Sequence, residues 1–231
     1  MGWWSRTWNS SIGVKMIMGL TGAGLVLFVV GHMLGNLQIF LGPHALNDYA
    51  EKLRALPELL WVARIGLIVI LVAHVASAIR LTRMNRAARP VGYRKQKAVQ
   101  VGYAARTLLL SGLIVLAFVV YHLLHFTFGT IDPEHFHLVD AEGRHDVYSM
   151  VVHGFSNPLV VGAYLLATFL LAMHLSHGVS SVFQTTGLNT PKYQPIVRAI
   201  GPALAIVLLL GYWSIPLSVA FGLLRLPGGR G

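Results

Sequence analysis

The sequence predicts an all-α integral membrane protein, a single bundle of five transmembrane helices occupying residues 1–231, with its N-terminus cytoplasmic. Three observations predict it. Of the 231 residues, 55% are hydrophobic and 11% charged, against roughly 25% charged in an average soluble domain. Several apolar runs reach about 20 residues, the length at which a helix crosses the hydrocarbon core of a bilayer. The Lys and Arg residues also divide unevenly between alternate connections, which is the signature of basic cytoplasmic loops.

The spans fall at about 16–40, 59–82, 104–128, 157–184 and 197–224. The first begins near Lys15 and has no short apolar region followed by a small-residue cleavage site, so it reads as a span and not as a signal peptide. Gly42-Pro43 closes it, and Pro57 opens the second. Arg89-Pro90 interrupts the basic connection that follows. Pro158 sits in the first turn of the fourth span, where its missing N–H leaves no bond unmade. Pro216, inside the fifth, is expected to kink it. The stretch from Asp132 to His153 is polar and rich in acids and histidine, and reads as an external loop with a short surface helix.

With the N-terminus inside, the inner segments hold Arg6, Lys15, the cluster from Arg80 to Arg106, Lys192 and Arg198, twelve of the 18 basic residues and no acid. All eight acids, from Asp48 to Asp146, lie in the outer segments. The net charge of +10 would point to nucleic acid in a soluble chain. Here it is a topology signal, and no nucleic-acid partner is expected. Cys is absent, which excludes disulfides, iron–sulfur ligation and a thiolate nucleophile within this chain.

Six histidines fall inside the apolar spans: His32, His74, His122, His125, His174 and His177. Ionisable residues at such depth are expensive and mark functional sites. At about 1.5 Å of rise per residue, His32 lies roughly 24 Å and His122 roughly 27 Å from the inner ends of their spans. His74 lies roughly 22 Å and His174 roughly 25 Å from the outer ends of theirs. The four therefore sort into an outer pair, His32 with His122, and an inner pair, His74 with His174, in layers separated by on the order of 15 Å. Facing imidazoles suit bis-His haem iron. Zinc and copper also bind imidazole but favour further ligands, and no carboxylate or thiolate lies at either depth. Small residues beside the histidines (Gly31, Gly35, Ala73, Ala76, Ser77, Ala172, Ser176, Gly178) leave room for a flat macrocycle and equally favour close helix packing. His125 and His177 lie one turn nearer the surface, as neighbours of a haem or quinone. A faint repeat pairs the same histidines: Phe28-Val-Val-Gly-His32 resembles Phe118-Val-Val-Tyr-His122, and Leu71-Val-Ala-His74 resembles Leu171-Ala-Met-His174.

Most of the chain resembles the cytochrome b membrane-anchor subunit of succinate dehydrogenases and menaquinol:fumarate reductases, in the five-helix, two-haem, single-anchor class. The resemblance is carried by Ser11-Ile-Gly-Val-Lys15, Gly31-His32-Met-Leu-Gly-Asn36-Leu-Gln38, Leu41-Gly-Pro-His44-Ala-Leu-Asn-Asp-Tyr49-Ala-Glu51, His74, Ser111-Gly112 to Tyr121-His122, and Met173-His174-Leu-Ser176-His177-Gly178. It implies two b haems, ligated by His32 with His122 (outer, distal) and by His74 with His174 (inner, proximal). It also implies a flavoprotein and an iron–sulfur subunit docked on the cytoplasmic face of a bacterial inner membrane, and electron exchange with menaquinone. Some fumarate reductases of this class carry a Glu where this chain has Ala172, so the succinate-dehydrogenase branch is the expected one. Lys15, Arg80 and His177 near the inner layer, and Arg64 and His125 near the outer, are the candidates for haem propionates. Gln38, His44, Asp48 and Glu51 are the candidates for a quinone site. Other readings stay open at this point: the cytochrome b of a membrane hydrogenase or formate dehydrogenase, and a metal transporter with histidines along its path.

Overall fold

The structure is a computed structural model that describes residues 2, 7–88, 108–185, 187 and 190–228. Arg6, Arg89, Arg94, Lys95, Lys97 and Arg106, together with positions 104–107 of the third span, lie outside the described residues. Regular structure among the described residues is helical, with one isolated bridge between Val139 and His145.

The elements in chain order are α1 (Ser11–Asn36), continued by a 3₁₀ turn at Leu37–Leu41, α2 (Pro43–Arg54), α3 (Pro57–Ala87) and α4 (Leu108–His122), continued by a π-helical turn at Leu123–Thr127. They are followed by α5 (Pro133–Phe136), α6 (Val147–Ser156), α7 (Pro158–Thr185) and α8 (Gln194–Ala220). Five of them, α1, α3, α4, α7 and α8, are long and apolar enough to cross a membrane, so the chain is an all-α, multi-pass membrane protein. Their lipid-facing surfaces explain side chains such as Leu27, Val62 and Leu159, at 75%, 69% and 81% exposure, which a water-facing surface would not tolerate in such numbers.

Local chemistry sets the ends. Ser10 accepts from Gly13 N at 3.3 Å and caps α1. Pro43, Pro57 and Pro158 open α2, α3 and α7 as expected at first-turn positions. Helix α3 runs to Ala87, five residues past the apolar run. The hydropathy ends at the charges, but Arg83 and Arg86 are good helix formers and carry the backbone ladder onward. Helix α8 begins and ends earlier than its apolar run implied. Pro195 sits in its first turn, and Gly222 at φ +67° turns the chain away after Ala220. The helix continues through both Pro202 and Pro216.

Within the bundle α3 packs along α1, α1 along α7, α7 along α4, and α8 lies along α7. The order around the four histidine-bearing helices is therefore α3, α1, α7, α4, and the diagonals are α1 with α4 and α3 with α7. Among the described residues neither diagonal pair packs closely, nor does α3 on α4.

At the end of the bundle where α1 finishes, the stretch expected as an external loop with a short surface helix carries α5 and α6, and α6 is buried in a core cluster and not laid on the surface. Tyr148, Met150, Val152 and Phe155 of α6 are buried with Ile39, Leu46 and Ile215. The reason is polar. Asn47, 1% exposed, donates to Asp140 Oδ2 at 3.1 Å and Asp146 Oδ1 at 3.0 Å and accepts from Tyr148 N at 3.0 Å. Asp146 also caps α6 through Ser149 N, and Arg144 pairs with Asp140 at 2.8 Å. With Asn47, Asp140 and Asp146 bonded to one another and to the backbone, the cap can hold an apolar face against the bundle.

Candidate functional site

The diagonals meet through histidines. The rings of His32 on α1 and His122 on α4 are 5.8 Å apart, centroid to centroid, and nearly perpendicular at 82°. Those of His74 on α3 and His174 on α7 are 6.4 Å apart at 72°. Two imidazoles on opposite sides of one metal ion, with bonds of about 2 Å each, have centroids roughly 6 Å apart. Each of the four histidines is half-buried.

The two pairs sit at different levels. Built Cβ atoms on Gly22 of α1 and Gly112 of α4 would each come within 3.2 Å of Cε1 of His74 and His174 respectively. The inner pair therefore lies beside Gly22 and Gly112, and the outer pair ten residues further along the same two helices, at His32 and His122. Ten residues of helix are roughly 15 Å. Glycine is used here for close approach: any larger side chain would press on the imidazole.

The outer pair has a further partner that sequence reasoning missed. Tyr164 of α7, buried at 7% exposure, places its hydroxyl 3.3 Å from His122 Nδ1 and 3.1 Å from His125 Nδ1. The π-helical turn at Leu123–Thr127 follows directly on His122, and such turns re-aim side chains at functional positions. His125 is thus not free to reach a ligand site of its own; it is buried, stacked on Phe126 at 4.0 Å and bound to Tyr164. No spacing rule marks a tyrosine on another helix, so only the structure reveals it. An apolar groove of about 300 Å³ runs between α4 and α7, lined by Phe118, Tyr121 and Ala163 among others.

The remaining predicted residues scatter. Arg80 turns to the N-terminal segment, donating to Trp8 O and Asn9 Oδ1 at 2.6 Å each. Lys15 is exposed, Arg64 is exposed over the Trp61 ring at 5.3 Å, and His177 is half-buried on α7. Gln38 lies in the 3₁₀ turn. His44 lies 3.5 Å from Glu142, and Asp48 binds Lys52 at 2.6 Å on the surface. Glu51 lines a pocket of about 340 Å³ in the cap with Arg54, Arg144 and His145. His44, Asp48 and Glu51 share a face of α2, with His44 and Glu51 meeting the Glu142–Arg144 pair (Glu51 3.8 Å from Arg144), while Gln38 stands apart in the 3₁₀ turn. In the cap, partial burial pushes the Asp140 carboxyl up, but the Arg144 guanidinium and backbone N–H, with Asn47, more than offset it and bring it down to about 2. Burial, then Arg54, hold His145 below the usual imidazole range.

Among the described residues no three His, Cys, Asp or Glu side chains converge as a self-sufficient metal site. That donor set does not suit a bare zinc or copper ion, which wants three or four protein ligands. It does suit a metal that brings its own equatorial donors, as haem iron does. Comparison with protein-family models, curated proteins and solved structures found no match.

Proposed function

We propose that this chain is the membrane-anchor cytochrome b subunit of a succinate:quinone oxidoreductase, respiratory complex II, of a bacterial cytoplasmic membrane. It would carry two b haems, one between His32 and His122 and one between His74 and His174. Bound there, haem supplies one-electron redox chemistry. The chain's own contribution is to hold two imidazole pairs across the diagonals and, ten residues apart along α1 and α4, to set a two-step route through the bilayer. A flavoprotein and an iron–sulfur subunit on the basic cytoplasmic face would exchange electrons with menaquinone at the other end, and the dicarboxylate site would lie on the flavoprotein. The N-terminus would be cytoplasmic, as the charge distribution implies.

The observation that carries the reading is the two imidazole pairs spaced for a bis-His metal, the inner one lying against matched glycines. The branch of the family rests on the sequence resemblance. A reduced-minus-oxidised spectrum of the purified chain tests the first part: two b haems per chain are expected, and absence of a b-type band after haem supplementation would overturn the cytochrome reading. Co-purification with a succinate-oxidising flavoprotein tests the second. Co-purification with a hydrogenase or formate-oxidising subunit would replace it.

A further inference from the structure

The inner pair is backed by two hydroxyls in matching places. Thr21 of α1 puts Oγ1 3.4 Å from His74 Nδ1, and Ser111 of α4 puts Oγ 3.4 Å from His174 Nδ1. Thr21 precedes Gly22 and lies eleven residues before His32; Ser111 precedes Gly112 and lies eleven before His122. The faint repeat seen around the outer histidines therefore extends to the partners of the inner ones.

The hydroxyl protons are already committed. Thr21 Oγ1 donates to Ile17 O at 2.7 Å, with Met18 O at 3.1 Å, and Ser111 Oγ donates to Leu108 O at 3.1 Å. A hydroxyl has one proton, so what each presents to the imidazole is a lone pair. A lone pair facing Nδ1 requires that Nδ1 carry the ring proton. For His74 the backbone agrees, because Met18 O, which can only accept, lies 3.2 Å from the same nitrogen. With Nδ1 protonated, Nε2 is left as the basic nitrogen, the form in which a neutral imidazole binds a metal.

We infer that Thr21 and Ser111 are a duplicated pair of positioning residues, each fixing the tautomer and plane of one inner imidazole so that both present Nε2 to a single iron. The inference rests on the cytochrome reading. An acceptor on Nδ1–H strengthens Nε2 as a donor and favours ferric iron, so losing the hydroxyl raises the midpoint potential of one haem only.

The test uses the full-length, haem-loaded protein with four variants: Thr21→Val and Ser111→Ala, which remove the hydroxyl, and Thr21→Ser and Ser111→Thr, which keep it. Readouts are haem stoichiometry, the low-spin EPR signal of each haem and a redox titration. The hydroxyl-free variants are expected to shift one haem's oxidised-to-reduced ratio about tenfold toward reduced, about +59 mV for one electron, or to lose that haem, leaving the other unchanged. The hydroxyl-keeping variants should stay at wild type. Unchanged potential and EPR in both hydroxyl-free variants would overturn the inference while leaving the cytochrome reading intact, as would equal shifts in the hydroxyl-keeping variants. Ser111→Ala, which removes one atom, carries the test should Thr21→Val fail to insert. A wild-type protein that takes up no haem would instead remove the reading on which the inference stands.

Discussion

Replacing Tyr164 by Phe isolates one oxygen atom. The ring contacts to Phe118 and Phe155, both at 5.0 Å, survive the change, so packing is held constant. Two hydrogen bonds are lost, at 3.3 Å to His122 and 3.1 Å to His125. Each is worth about 1 kcal/mol net, and a buried ring nitrogen left unpartnered costs about 1–3 kcal/mol more. His125 is 3% exposed and bears that cost nearly in full, whereas half-buried His122 bears part of it. The sum is about 3–6 kcal/mol. Unfolding in detergent of wild type, Tyr164→Phe, His125→Phe and the double variant measures both the loss and the coupling, because groups sharing a bond are non-additive. The double variant should be less destabilised than the sum of the two. A loss below about 0.5 kcal/mol with additive behaviour would refute the view that Tyr164 ties α7 to α4.

Four further outcomes follow from other parts of the molecule. His32→Ala and His122→Ala are each expected to remove one haem, and His74→Ala and His174→Ala the other; loss of different haems within either pair contradicts the pairing, and haem quantification with EPR decides it. Gly112→Val presses on His174, where even a Cβ would sit at 3.2 Å, whereas Gly66→Val meets nothing within 4 Å; haem retention should fall in the first variant and hold in the second. Asn47→Ala breaks three bonds, two of them to carboxylates, and should cost about 3–5 kcal/mol, read as faster limited proteolysis between positions 137 and 146. Acid should weaken the cap in two stages. His145, lowered in the folded state by burial and Arg54, contributes stability present above about pH 6.5 and lost as pH falls through its folded value. Asp140, brought down to about 2 against burial by Arg144, contributes stability present above about pH 4 and lost as pH falls toward 2. A pH series of thermal melts should show both, and Asp140→Asn should remove only the lower one.

Much of the bundle is legible in the sequence because bilayer thickness leaves few choices: an apolar run of the right length becomes a span, and proline and glycine mark its ends. Which histidines meet was legible too. Rise per residue and alternating direction put His32 level with His122 and His74 level with His174, and the rings lie together in the structure. Azimuth was not legible. Hydropathy says how deep a residue lies but not which neighbour it faces, so Tyr164 and Thr21 carried no assigned role, and Ser111 stood only as part of a stretch of family resemblance. Arg80 shows the converse: its depth suited a propionate, yet its guanidinium turns back to Trp8 and Asn9. The cap was read as a loop because its order depends on Asn47 reaching across about a hundred positions to Asp146 and Tyr148, a pairing no local pattern carries.

The order of helices around the bundle has a bearing on how the protein is made. Neighbours in the chain are not always neighbours in space: α1 and α3 form a hairpin, α7 and α8 form another, while α4 attaches to α7 and, among the described residues, does not pack closely on α3. During synthesis the first hairpin can complete itself as soon as it leaves the ribosome. Helix α4 emerges next with, among the described residues, little beyond the His32–His122 contact to hold it to α1, and gains its main packing only with α7, so the interval between translation of α4 and of α7 is expected to be the stage at which this chain is most exposed to quality control in the membrane.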